Sequence, residues 1–373
     1  MGSLDGRISV LAPTSPRQIY STVRGCAQWR VAGRGFKSFR MKASVLVCLA
    51  FAAIVFVAAA SDDTSVAWKS FVEKYGRTYA SQEESDRRYA IFSKNFEMIN
   101  AVNNDPSKTY TLEVNNFADI SWEEFQETHL LRAPQDCSAT RGSYQASGKA
   151  LPEHVDWRTK GVLQPVKNQG NCGSCWTFST TGTLEAILAI HLGEHVSLSE
   201  QQLVDCAQDF DNNGCNGGLP SHAFEYIHYR QGLESEKTYP YVGKDMTCNR
   251  DALKSVAFVR EIKNITRGDE NELADAVAYE NPVAVAFEVV DDFRFYKGGV
   301  YSSKTCRHSP DTVNHAVVAV GFGSNSTVHE DYWIIRNSWG ADWGMDGYFE
   351  MERGVNMCGV AECSSWAVPE RRK

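Results

Sequence analysis

The stretch Gln169-Gly-Asn-Cys-Gly-Ser-Cys-Trp176 holds the residue types that acyl transfer requires. A thiol attacks as its thiolate, and the N-terminus of a helix lowers its pKa. Cys175 stands where the apolar run to Leu192, closed by Gly193, is predicted to begin as a helix. The tetrahedral adduct of such an attack needs donors for its oxyanion. The backbone N–H of Cys175 and the side-chain amide of Gln169, across a Gly-rich turn, are the candidates. Losing one such donor costs about 10²–10³ in rate.

A thiolate also needs an acid–base partner, most often His. Of nine histidines, His315 alone opens an apolar strand-like run, His315-Ala-Val-Val-Ala-Val320, just after Asn314. Asn337 ends Trp333-Ile-Ile-Arg-Asn and precedes Ser338-Trp339-Gly340. Taken singly, His315 reads equally well as a core histidine and Asn337 as a turn amide. Cys172-Gly-Ser-Cys175 has a rival reading as a redox pair, but that chemistry belongs in a βαβ setting. The residues before it, Val155-Asp-Trp-Arg to Pro165-Val-Lys-Asn, do not read as one. No second C-x-x-C or suitably placed His pair follows, so neither a metal nor a cofactor is expected.

These residues need elements to position them. From Trp68 to about Asn103, aromatic and apolar residues recur every three or four positions, and Gly76 interrupts the run, which predicts two helices. In the second, Glu84, Arg88, Phe92, Asn95, Ile99 and Asn103 share one face. Such a mixed face pairs internally and docks on something. Residues 133–152, rich in Ala, Ser, Gly, Pro and Arg, read as an exposed, cleavable linker. Beyond it, helices are predicted at Cys175–Leu192, at Ser197–Cys206 with Ser199 as N-cap, and at Ala223–Tyr229. After about Ser255, short β-rich runs take over at 283–287, 315–320 and 332–336. A helical half followed by a sheet half makes an α+β fold of two lobes.

The run Cys172-Gly-Ser-Cys175-Trp176 matches a local signature, C-G-[SA]-C-[WY], whose partner His and Asn lie about 130–150 residues downstream. From about Trp68 onward the chain resembles the papain-like cysteine peptidases. The resemblance implies Cys175 as nucleophile, His315 as base, Asn337 orienting the imidazole, Gln169 as oxyanion amide and Trp339 shielding the His–Asn bond. Asn337 falls somewhat late, and the stretch 323–331 is taken as a loop holding the excess. Gly217, Gly218 and Leu219, in Gly214-Cys-Asn-Gly-Gly-Leu219, resemble a cleft wall that binds extended peptide. The six-residue helical face resembles the family's inhibitory propeptide, as do Asn115, Phe117 and Asp119, although Glu113 stands where that second motif starts with Gly. The propeptide is then a built-in inhibitor. Its carboxylates lose charge in acid, so release as pH falls is expected.

The resemblance also implies disulfides Cys172–Cys215, Cys206–Cys248 and Cys306–Cys358. Cys137 and Cys363 remain. If they pair, a propeptide fragment stays attached after cleavage. Ala133-Pro-Gln-Asp-Cys-Ser-Ala-Thr140 resembles the retained mini-chain of the cathepsin H and aleurain branch, with Ala133 and Asp136 where that branch has Glu and Asn. There the terminal carboxylate, here that of Thr140, faces the substrate's free α-ammonium. A block plus a fixed negative charge turns an endopeptidase into an aminopeptidase.

The remaining sequence frames this reading. Ala43–Ala60 is apolar, follows Arg40-Met41-Lys42 and ends in small residues, as a signal peptide does. Six Arg and one acid in residues 1–40 read as an upstream extension. The expected order is extension 1–40, signal 41–60, propeptide 61–132, mini-chain 133–140, excised linker 141–150 and peptidase domain 151–373. Sequons at Asn264 and Asn325 suit a secretory route to lysosome, vacuole or exterior. A net charge of −8 with no basic stripe in the main body excludes a nucleic-acid partner. Peptide and protein substrates, the chain's own propeptide as inhibitor, a monomer and no membrane span after processing are expected.

Overall fold

The computed structural model describes residues 63–132, 137, 143–325 and 330–371. The stretches read above as N-terminal extension and signal peptide, and the expected mini-chain apart from Cys137, with Thr140, lie outside the described residues.

The N-terminal part is helical, as the periodicity predicts. Helix α1 covers 63–74. Helix α2, Gln82–Asn103, is capped by Ser81. Trp68, Phe71 and Phe92 pack together where the two helices meet, with centroids 5.2 Å apart for both Trp68–Phe92, edge to face, and Phe71–Phe92, tilted. The mixed face of α2 is spent on the segment that follows. Arg88 pairs with Glu84 at 2.7 Å and with Glu124 at 2.8 Å. Asn95 donates to the carbonyls of Ala118 and Ile120 at 2.9 and 3.1 Å. Asn103 exchanges two hydrogen bonds with the backbone of Leu112. Polar side chains that satisfy another segment's backbone fix its path. That segment holds strand β1, Tyr110–Leu112, and helix α3, Trp122–His129, which opens with a capping box between Ser121 and Glu124.

Strand β2, Val155–Asp156, leads into the peptidase body. Helix α4, Cys175–Leu192, is buried from Cys175 to Ala189 and forms the spine of one lobe with α5, Glu200–Cys206, and α6, Pro220–Tyr229. Ser199 caps α5 as expected. Strands β3, Leu233–Glu234, and β4, Ser255–Ala257, form a small separate ladder.

The other lobe is built on β5 (Val259–Asn264), helix α7 (Glu270–Tyr279), β6 (Val283–Phe287), β7 (Tyr296–Tyr301), β8 (His315–Asn325), β9 (Glu330–Arg336), β10 (Tyr348–Glu352) and β11 (Ser365–Pro369). The sheet order is β1-β7-β10-β9-β8-β6-β11-β5, with β2 on β8. Thus the propeptide contributes an edge strand to the peptidase sheet. Tyr110 pairs with Gly299, at φ +87°, where a Cβ would lie 2.3 Å from the carbonyl oxygen of Thr109. Only glycine lets the two backbones approach so closely.

Two expectations are refined. The stretch 323–331 is no plain loop: β8 and β9 pair as far as Asn325↔Glu330, so the extra residues lengthen a hairpin. Glu113 keeps a negative φ, donates its N–H to the carbonyl of Phe295 at 2.8 Å, and pairs with Lys297 at 3.1 Å. A glycine is not required there.

Candidate active site

Cys175 is the first residue of α4, at the seam between the lobes, and is fully buried. Among the described residues it is the free cysteine. Cys172 is bonded to Cys215, so the redox-pair reading is excluded. The helix N-terminus aims the amides of Cys175 and Trp176 at the thiol. From the opposite lobe the amide of Ala316 reaches Sγ at 3.4 Å. That contact places His315, the first residue of β8, beside the sulfur.

The imidazole's proton position follows from its partners. Ser338 N donates to Asn337 Oδ1 at 2.8 Å, so this oxygen is an acceptor. His315 Nε2 lies 2.8 Å from it and must be the donor. The neutral ring therefore carries its lone pair on Nδ1, which is buried and without a partner among the described residues. Trp339 packs on the imidazole, centroids 4.7 Å apart, and shields the His–Asn bond from solvent. Asn337 follows the last residue of β9, and the β8–β9 ladder brings it to His315.

Gln169 is fixed at four atoms. Its N–H donates to Ser338 O at 2.9 Å, its Oε1 accepts from Ser338 Oγ at 2.7 Å, and its carbonyl accepts from Tyr241 Oη at 2.8 Å. Its Nε2 donates to the carbonyls of Cys172 and His129, both at 2.9 Å. His129 ends α3, which starts inside the propeptide segment, so its carbonyl occupies the amide expected to serve as one oxyanion donor. The chain continues through the cleft: Leu131 N donates to Asn314 O at 2.8 Å and Arg132 N to Asn216 O at 3.2 Å.

Covering the cleft reverses its electrostatics. Burial pushes the Cys175 thiol up to about 12, although the amides of Ala316, Trp176 and Cys175 pull it down. Burial also lowers His315 to about 4, against the hydrogen bond that it donates to Asn337 and assisted by nearby His129. Both shifts oppose a thiolate–imidazolium pair, so the covered site is held neutral. Release of the propeptide returns water to the cleft and removes the cause.

The predicted cleft wall lies next to this path. Gly217 has φ +127°. Gly218 lies against Trp176, whose ring a Cβ would meet at 2.7 Å. Leu219 donates to Asn212 Oδ1 at 3.0 Å and is buried. The structure contains disulfides Cys137–Cys363, Cys172–Cys215, Cys206–Cys248 and Cys306–Cys358. Of the predicted sequons, Asn325 sits near the tip of the β8–β9 hairpin. Asn264 ends β5, and its carbonyl accepts from Ser143 and Tyr144. The linker is therefore docked here: Tyr144 and Ser147 both bond to Asp275, and Tyr144 packs on Trp366. Among the described residues no group of three or more His, Cys, Asp or Glu could hold a metal ion.

Sequence reasoning passed over three residues that touch this site: His129, Ser338 and Tyr241. Ser338 adjoins Asn337 and could have been found by that adjacency. His129 and Tyr241 had no motif to betray them.

A papain family cysteine protease model matches residues 151–368, and a cathepsin propeptide inhibitor domain matches 68–125. The chain belongs to the papain family of cysteine proteases and carries its own inhibitory propeptide. Among similar proteins, a pro-cathepsin H of Mus musculus is 51% identical over 304 residues, covering 81% of this chain and 90% of its own length. The thiol protease aleurain of Arabidopsis thaliana is 54% identical over 299 residues, covering 80% and 82%. Among solved structures, a digestive procathepsin L 3 of Tenebrio molitor superposes with TM-score 0.74 at 40% identity, covering 82% of this chain and 98% of that one. A recombinant stem bromelain precursor gives TM-score 0.72 at 33% identity, covering 83% and 100%. Among the described residues no helix is long and apolar enough to cross a membrane.

Proposed function

We propose that this cysteine peptidase acts mainly as an aminopeptidase, with some endopeptidase action. The observation that carries the reading is the Cys137–Cys363 disulfide. It fastens a piece of the propeptide to the peptidase domain, so cleavage on both sides of 133–140 leaves that piece attached. The chain just before it lies in the cleft, with Arg132 bonded to Asn216 beside Gly217 and Gly218. A mini-chain there obstructs one half of the cleft, and the Thr140 carboxylate, freed by cleavage before Arg141, pairs with a substrate's α-ammonium. An α-ammonium facing a carboxylate in a partly desolvated cleft binds more tightly than a blocked amine.

In this reading Cys175 Sγ⁻ attacks the scissile carbonyl, and the oxyanion is held by Gln169 Nε2 and the Cys175 amide. His315, oriented by Asn337, gives its proton to the leaving amine. Water, deprotonated by the same imidazole, hydrolyses the thioester and restores the thiol. Residues 61–132 are the removable inhibitor, 141–150 the excised linker and 151–373 the peptidase domain. The mature chain is a monomer of the secretory route, in the lysosome or vacuole or outside the cell, glycosylated at Asn264 and Asn325.

The test compares hydrolysis of an amino-acid fluorogenic amide with that of its N-terminally blocked form by the matured enzyme. At least a tenfold preference for the free amine in kcat/KM is expected, roughly the value of one charge pair. Preference for the blocked substrate defeats the aminopeptidase reading and leaves an endopeptidase.

A further inference from the structure

Ser174 occupies the N-cap position of α4. A serine there ordinarily accepts from an amide of the first turn, and the bond is worth about 0.5–2 kcal/mol. Ser174 makes no such bond. Its Oγ instead lies 2.6 Å from Tyr241 Oη. Tyr241 Oη also faces the carbonyl of Gln169 at 2.8 Å, which can only accept. With the one phenol proton there, Ser174 is the donor in the shorter contact, its other acceptor, the carbonyl of Cys172, being 3.4 Å away. The result is a directed relay: Ser174 O–H to Tyr241 O–H to the Gln169 carbonyl. It joins the residue before the nucleophile to the residue whose side chain supplies the second oxyanion donor.

The segment between them has little regular structure to fix it. Residues 169–174 form no helix and pair in no named strand. Oxyanion donors act only when both lie about 2.7–3.1 Å from the developing charge, and a site that is loose by a few tenths of an ångström loses much of the effect. Tyr241 is well placed to hold that spacing. Its ring packs edge-on to Phe178 of α4, centroids 5.0 Å apart, and its own amide is anchored to Glu236 Oε1 at 2.8 Å. Burial raises the phenol's pKa, so it stays protonated and remains a donor.

We infer that Tyr241 is a positioning residue for the acyl-transfer step: it spaces the two oxyanion donors and draws the Ser174 hydroxyl away from the helix end that faces the thiol. The inference rests on Gln169 and the Cys175 amide being those donors, and it holds for an aminopeptidase or an endopeptidase alike.

The test is a double-mutant cycle on the matured enzyme, with active sites counted by a thiol-directed epoxide. Y241F keeps the ring and its contact with Phe178 and removes only the hydroxyl. It is expected to lower kcat about tenfold with KM within about twofold. In a Q169A background the same change should cost less than about twofold, because the donor it positions is gone. Wild-type kcat in Y241F overturns the inference, and so does a tenfold loss that persists in full with Q169A, which marks a merely structural role. Q169A alone should lose about 10²–10³. If it does not, the oxyanion assignment fails, and this is distinguishable from failure of the relay. Should Y241F not fold, S174A reads the same relay: a loss of about threefold in kcat that vanishes with Q169A supports it, and no loss overturns it.

Discussion

The propeptide–cleft contact and the seam between the peptidase lobes both bury polar groups, but they do so differently. At the seam, Lys167 reaches Glu185 at 2.8 Å and Glu200 at 2.6 Å, with both carboxylates almost fully buried. Burial raises Glu200 above the ordinary carboxylate range even against the pull of Lys167. Beside it α4 packs on β8, and disulfides brace both lobes. The propeptide is held instead by one short edge strand, by backbone bonds through the cleft, by Phe117 and Phe125 packed on Trp339, and by Arg294, which donates to Ile120 O, Ser121 O and Asn95 Oδ1. Among these contacts there is no disulfide and no buried ion pair to the peptidase body. One interface is built to stay and the other to leave.

The largest expected effect tests the permanent side. Lys167→Met strands two buried carboxylates, a loss of about 3–5 kcal/mol. The matured enzyme's denaturation temperature should fall by roughly 6–15 °C. Inhibition by added propeptide should not change, since Lys167 does not touch it. A stability loss below about 1 kcal/mol breaks the comparison.

The next tests what makes the other side leave. Carboxylate protonation was the expected trigger, but Glu84 is lowered to about 2 by its hydrogen bonds to Arg87 and Arg88. A depressed carboxylate keeps its contribution until pH falls through that value, so Glu84 does not respond between pH 7 and 4. Glu124 is pushed up by burial but held down on balance by the Ser121 amide and the two arginines. His129 is better suited. Its ring is stacked on Phe125, centroids 4.7 Å apart and 2° from parallel, and meets Phe117 edge-on at 5.0 Å. Burial lowers it to about 4, with Arg294 adding to the effect against the Phe125 backbone bond. Undocked, it returns to about 6.5.

A depressed histidine stabilises docking fully above about pH 6.5, and that stability is lost progressively towards pH 4. The cost at pH 5 is about 2 kcal/mol. His315 shifts the same way, but on release it takes its proton from Cys175, so the pair adds little net proton uptake. A groove of about 290 Å³, lined by His129, Asn115, Asn168, Trp339 and Asp342, gives a proton access to the ring. His129→Phe should keep the stack, leave the zymogen's stability at pH 7 unchanged, and slow its processing at pH 5 by about tenfold or more. Equal processing of variant and wild type across pH 4–7 removes His129 from the account.

The smallest effect sharpens the comparison. Ser121→Ala removes the capping box of α3 and costs about 1 kcal/mol. Because α3 delivers His129 to the cleft, zymogen processing at neutral pH should speed up about fivefold, with the matured enzyme's kcat unchanged. A processing rate equal to wild type means that α3 is held by its contacts and not by its cap.

The chemistry was legible in the sequence because it sits in local patterns. Cys175 follows a Gly-rich turn and starts a helix. His315 and Asn337 flank strand-like runs, and the face of α2 follows a helical repeat. The long β8–β9 hairpin was read as a loop because Gly323 and the sequon mimic turn punctuation, while pairing depends on a partner strand. Residues 143–150 read as free linker because composition reports flexibility, and their anchor, Asp275, lies far along the chain.

By itself, the sequence singled out the candidate reacting residues, most of the helices and strands that carry them and the presence of an inhibitory segment. These depend on residue type and short-range spacing. Tertiary structure alone decided which groups meet across long separations: the His129 carbonyl at Gln169, the Ser174–Tyr241 relay and the ring stack that holds His129 neutral. Each joins segments whose approach is set by how the lobes and the propeptide pack, and that packing has no short-range periodicity to read.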